Sequence, residues 1–138
     1  MSEDQNKQFE KAYQELQNLD KRGKDIQENL KQLDRQMNEF EITKNALSQL
    51  NDIELGKEMF VPISPGIFVK ATIADNKEVM VNVGAGVGVE KPVDKARELI
   101  VAQSEELGSI RETLVQQLQD VYDRAQKLEE NLRQYYDV

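Results

Sequence analysis

The chain has 138 residues, of which 38% are hydrophobic and 32% charged, a balance that suits long solvated helices better than a globular core. Its 26 acidic and 18 basic residues give a net charge of −8, and no run of Lys and Arg supplies the basic patch that a nucleic-acid backbone requires. Neither Cys nor His is present, which removes disulfides, thiolate metal sites and the commonest general base, so neither an enzyme nor a bound metal or cofactor is expected.

The polar start, Met1 to Lys7, lacks the apolar h-region of a signal peptide. No apolar stretch approaches the ~20 residues that span a bilayer. A soluble, cytoplasmic protein with no membrane or nucleic-acid partner is the expectation.

From Phe9 the apolar residues recur at alternating steps of three and four: Phe9, Ala12, Leu16, Leu19, Ile26, Leu30, Leu33, Met37, Phe40 and Leu47. Gly23 and Lys44 interrupt the series. This 3.5-residue period marks a coiled-coil helix, expected over residues 5–54. Lys44 and Asn51, polar at seam positions, are read as fixing register and partner. Gly56 is expected to end the helix.

The middle, residues 57–91, changes character and holds the turn signals. All the prolines fall between Pro62 and Pro92, and every glycine but Gly23 and Gly108 lies between Gly56 and Gly88. Ile67, Val69, Ala71 and Ile73 alternate with Phe68, Lys70 and Thr72, and Val79, Val81 and Val83 alternate with Met80 and Asn82; period two predicts strands. Met59 to Ile63 and Val87 to Val89 read as shorter strands. Ser64-Pro65-Gly66-Ile67 fits a type II turn, and Asp75-Asn76 is assigned the turn of the central pair. Four short strands, or two hairpins, result. Gly84-Ala85-Gly86-Val87-Gly88 is not a dinucleotide loop, because Val89 stands where the third glycine belongs and no helix follows.

A second helix is expected over residues 92–137, with Pro92 in its first turn and Asp94 favourably placed against the helix dipole. Its seam runs Val93, Ala96, Ile100, Leu107, Ile110, Leu114, Leu118, Val121, Ala125, Leu128, Leu132 and Tyr135, broken at Gln103 and stuttering between Ile110 and Leu118. Two seams in one chain pair most simply with each other as an antiparallel hairpin, each arm about 45–50 residues and roughly 70 Å long. Leu47 then lies near Ala96 or Ile100, and Phe9 near Leu132 or Tyr135.

Two hairpins of this size cannot bury both faces, and open sheet edges carry unpaired backbone groups. Val61, Ile63, Ile67, Phe68, Val69, Val79, Val81, Val83, Val87 and Val89 are therefore the candidate oligomer interface of an obligate assembly. The alternative is a monomer in which Leu50, Ile53, Leu55, Leu99 and Val101 cover one face.

The order helix, two hairpins, helix resembles the α class of the prefoldin family. Gly56-Lys57-Glu58 followed by Val61-Pro62-Ile63 looks like that family's lead into its first strand, and Val83 to Lys91 looks like its closing segment, with Ala96 where the next helix packs. The likeness is close from about Gly56 to Leu99, while the arms match in length and heptad character. It implies one α+β, mostly α, subunit over residues 1–138, a long antiparallel coiled-coil hairpin whose central hairpins build an oligomeric β-barrel body.

The resemblance further implies two α-type with four β-type subunits, no nucleotide, binding of non-native proteins at the arm tips, and delivery to a group II chaperonin. The archaeal type is the simplest match. Tip candidates are Phe9, Tyr13, Leu16, Leu128, Leu132, Tyr135 and Tyr136, and the arm beyond Gly23 is expected to splay. A scaffold or filament protein assembling through its hairpins is the alternative function.

Overall fold

The computed structural model describes residues 2–136 and has the element order α1 (Glu3–Leu50), β1 (Glu58–Ser64), β2 (Ile67–Thr72), β3 (Glu78–Asn82), β4 (Gly88–Pro92) and α2 (Val93–Tyr136). Two long helices and two small antiparallel hairpins are thus the architecture, as the periodicities predict. The chain divides into two compact units. One takes the residues up to Gln36 and from Leu107 onward; the other is Met37–Glu106.

In the first unit α1 and α2 pair antiparallel. Leu19, Ile26 and Val121 form its buried core, with Leu30, Leu114, Leu118, Ala125 and Leu128 packed against them. Partners run in opposite directions along the two helices. Phe9 meets Tyr135, Arg124 Nε donates to Glu15 at 2.7 Å, Gln27 donates to the Tyr122 hydroxyl, and Arg111 Nε donates to Asp34 at 2.8 Å. Helix α1 begins earlier than residue 5 because Ser2 caps it. The Gln5 amide donates to Ser2 Oγ, and the Ser2 amide donates back to Gln5 Oε1, a reciprocal capping box.

The α1 seam is as the sequence implies, with Gly23 buried and Lys44 half-buried in it. The α2 seam differs. Ile110 is 46% exposed, whereas Ser104 is half-buried beside Ile100 and Leu107. The seam therefore runs Ile100, Ser104, Leu107, Leu114, Leu118 in ordinary heptad steps, with Arg111 at the position the sequence reading gave to Ile110. The 4-4 step thus falls at Ala96, Ile100 and Ser104 instead of between Ile110 and Leu118.

In the second unit Val93 and Ala96 are the buried residues of α2, and Arg97 donates to Ser48 Oγ across the helix pair at 3.3 Å. Helix α1 ends at Leu50, not at residue 54. The Asp52 and Ile53 amides bond back three residues, to Gln49 and Leu50, tightening the last turn. Asn51 falls in that turn, exposed, and sets no register.

Gly56 is not the helix cap. At φ 83° it donates to the Ile73 carbonyl while the Ile73 amide donates to Lys57, a glycine bulge that opens the first hairpin. Strand β1 pairs with β2, and β3 with β4, in two separate two-stranded sheets. Asp75-Asn76 therefore joins the hairpins and does not turn a central pair. Asp75 Oδ1 accepts the Lys77 and Glu78 amides, and Asn76 Nδ2 donates to the Ile53 carbonyl. Pro92 closes β4 instead of opening α2.

Candidate functional site

The two hairpins carry apolar side chains on both faces. In β1–β2, Met59, Val61, Val69 and Ala71 share one face, while Phe60, Pro62, Phe68 and Lys70 share the other. In β3–β4, Val79, Val81 and Val89 share one face with Lys91, while Met80 and Asn82 lie on the other with Glu90. Of the expected interface residues, Val61, Ile63, Ile67, Phe68, Val69, Val83, Val87 and Val89 are exposed, whereas Val79 and Val81 are half-buried. Leu55, assigned to cover one face, is itself exposed.

The most exposed apolar residues of the hairpins are Met80, at 70%, and Phe60, at 68%; neither was among the expected interface residues. The signal was available. Both sit at the alternate positions of strands whose other positions are also apolar, and period two then implies two greasy faces. Lys70 is a polar member of the Phe60 face, with Glu58 and Thr72. Its ammonium lies 3.2 Å from the Glu58 carboxylate and 6.0 Å from the centre of the Phe60 ring.

The turns are built for shape. Gly66 takes φ 83° at the third position of the β1–β2 turn, as type II geometry demands. In the β3–β4 turn Ala85 adopts φ 52° between Gly84 and Gly86 at φ 110° and 73°. The Val83 amide donates to the Val87 carbonyl at 3.0 Å and closes the loop. Gly88 passes under Met80, whose sulfur would stand 2.7 Å from a Cβ there.

At the far ends of the helices the tip candidates fall mostly inside the seam. Phe9 stacks on Tyr13 with ring centres 6.5 Å apart and meets Tyr135 edge-on at 6.2 Å; the Tyr135 hydroxyl donates to Gln8. Leu132 is only 7% exposed, and Leu16 and Leu128 are half-buried. Tyr13, at 50%, is the exposed one. The side chain of Tyr136 lies outside the described residues. Beside this cluster an open cleft of about 250 Å³ lies over Gly23, lined by Leu16, Leu19, Val121 and Tyr122 among others.

Among the described residues no three carboxylates gather into a cation site. No described helix is long and apolar enough to cross a membrane. What the arrangement offers is surface: sheet faces and edges at one place, and a zipped pair of helix ends at another.

Comparison with known proteins agrees with this geometry. Residues 19–137 match the family model for prefoldin subunits. Prefoldin subunit alpha of Thermofilum pendens is 34% identical over 64% of this chain and 68% of its own length. Prefoldin subunit alpha 1 of Thermococcus kodakarensis is 39% identical over 72% and 68%, and prefoldin subunit alpha of Methanobrevibacter smithii is 30% identical over 83% and 78%. Among solved structures, the cryo-EM structure of filamentous PFD from Methanocaldococcus jannaschii superimposes with a TM-score of 0.77 over 86% of this chain and 98% of that one, at 18% identity, a likeness of fold. With its helix–hairpin–hairpin–helix order and these relatives, the chain belongs to the prefoldin family of chaperone subunits, in the alpha class.

Proposed function

We propose that this chain is the α-type subunit of a cytoplasmic, ATP-independent holdase in which two α-type and four β-type subunits join through their β-hairpins into a barrel-like body. The observation that carries this reading is the pair of hairpins with apolar residues on both faces, headed by Phe60 and Met80. A two-stranded sheet is marginal in water, and side chains this large and exposed need a partner surface. Neither nucleotide nor metal has a part in the scheme.

Non-native polypeptides are held at the helix ends by Phe9, Tyr13, Leu16, Leu128, Leu132, Tyr135 and Tyr136, then passed to a group II chaperonin. A grip on many clients requires apolar side chains on an adaptable support, because a tight complementary pocket would select one client. Tyr13 is available at once. The seam residues become available only as the end opens, and Gly23 supports such opening by leaving the helix weak within the seam.

A second reading, a scaffold that polymerises through its hairpins, is favoured by the likeness to a filamentous prefoldin structure. One experiment separates the two. The chain is mixed with a denatured, aggregation-prone protein, with and without a β-type subunit, and light scattering is followed. Suppression of scattering supports the holdase; fibres in negative stain without suppression support the scaffold.

A further inference from the structure

The cleft over Gly23 has a cause in the sequence. Gly23 on α1 and Ala125 on α2 are seam residues that both line it, and two small residues leave room that leucines fill elsewhere. Leu16, Leu19 and Val121 wall the space, whose volume is about 250 Å³. An apolar cavity of ~150 Å³ accepts a benzene ring, so this one has room for an aromatic side chain. It is open at the side, so a guest enters without parting the helices.

The mouth is polar, and its charges do not balance. Tyr122 forms one lip, and its hydroxyl accepts a hydrogen bond from Gln27 across the helix pair. Asp20, Lys24 and Glu129 stand around it. The Lys24 ammonium lies 3.2 Å from the Asp20 carboxylate, whereas among the described residues no cation pairs with Glu129. One negative charge is left over at the rim. The same side of the pair shows further apolar groups. Tyr13 precedes Gln27 by two heptads and Val115 precedes Tyr122 by one, and both are exposed. The groove on the other side of Leu19 is polar instead, bounded by Arg22, Gln117, Asp120 and Arg124, with Arg124 tied to Glu15.

Resting on the reading that the helix ends hold non-native polypeptides, we infer that the Gly23 cleft is a preformed subsite for one aromatic or large aliphatic side chain of such a polypeptide, where a lysine or arginine adjoins it in sequence. The guest displaces water from Leu16, Leu19 and Val121, and the neighbouring cation sits against Glu129. Folded proteins keep most such side chains inside, so the cleft selects non-native chains without selecting one sequence. Apolar segments flanked by carboxylates are turned away by Glu129 and by the chain's net charge of −8.

The test uses the full-length chain co-expressed with a β-type subunit. Two short unstructured peptides are compared, each with a single diazirine-bearing phenylalanine, followed by lysine in one and by glutamate in the other. Residues labelled on illumination are identified by mass spectrometry, and labelling against peptide concentration gives the affinities. The inference predicts labels on Leu16, Leu19, Val121 or Ala125. The lysine peptide binds about two- to fivefold more tightly, as one exposed ion pair allows, and Glu129→Gln abolishes that preference. Gly23→Leu and Ala125→Leu fill the cleft from either helix and should each weaken labelling there by about 10–100-fold, with circular dichroism showing that the helices persist.

Labels confined to Tyr13 or Tyr135 overturn the cleft and leave client binding at the helix ends standing. Cleft labels that survive both leucine substitutions, or equal affinities for the two peptides, overturn it as well. Labelling that fades as the protein is concentrated makes a second copy the occupant and has the same result. Labels on the β-type subunit alone, with no suppression of client aggregation by this chain, overturn both this inference and the reading beneath it.

Discussion

Gly23 occupies a seam position where an alanine would fit: a Cβ there would lie 3.6 Å from Val121 Cγ1 and 3.9 Å from Leu118 Cδ1, ordinary contact distances. Packing does not demand the glycine, and helix propensity argues against it by about 1 kcal/mol. Gly23→Ala is expected to stabilise the helix pair by roughly that amount, read as a higher midpoint in thermal circular dichroism. If opening of the end serves clients, the same variant suppresses aggregation less well. Unchanged suppression in a stiffened protein would separate Gly23 from client binding. Gly66 is the opposite case. Its φ of 83° is one that alanine adopts at a penalty, so Gly66→Ala is expected to destabilise the first hairpin by about 1–2 kcal/mol, measured by urea unfolding of the assembled protein.

At the level of elements, the helices were legible because a seam repeats many times, and one odd residue does not disturb the sum. Their details were less so. Hydrophobicity alone assigned Ile110 to the seam and left out Ser104, although the continuing steps from Leu107 to Leu114 and Leu118 pass through Arg111. A long arginine can occupy such a position by setting its stem along the seam and its guanidinium on Asp34 at the rim. Ile110→Gln is accordingly expected to change stability by less than about 0.5 kcal/mol, as surface substitutions do, whereas Ile26→Ala, at a buried position, should cost about 2–5 kcal/mol. Equal losses in denaturant melts would return Ile110 to the seam.

The strands were legible from period two and the first turn from Pro65-Gly66. Two hairpins were expected, but the Asp75-Asn76 turn was misplaced, because Ile73 and Lys77 would serve a β2–β3 hairpin as well as the two hairpins observed. Hydrogen bonds from Gly56 and Val93 decided it, and these come from residues that read as helix punctuation.

At the scale of the whole molecule, the hairpin surface is the part that a single chain leaves unfinished. Phe60 and Met80 stood outside the sequence-level interface although Phe68, which shares the Phe60 face, stood within it; the structure exposes apolar groups on both faces. Burying a side chain of this kind contributes about 1.5–3 kcal/mol, so Phe60→Glu is expected to weaken assembly by roughly 10–100-fold, visible in the concentration dependence of sedimentation. Tip candidates were legible as seam residues, but their role depends on how far the end opens, which no pattern of residues encodes. Native mass spectrometry of the full chain co-expressed with a β-type subunit tests the central claim most directly. The account predicts a complex of about six chains, two of them this one. A stable monomer at micromolar concentration, indifferent to the partner, would contradict it.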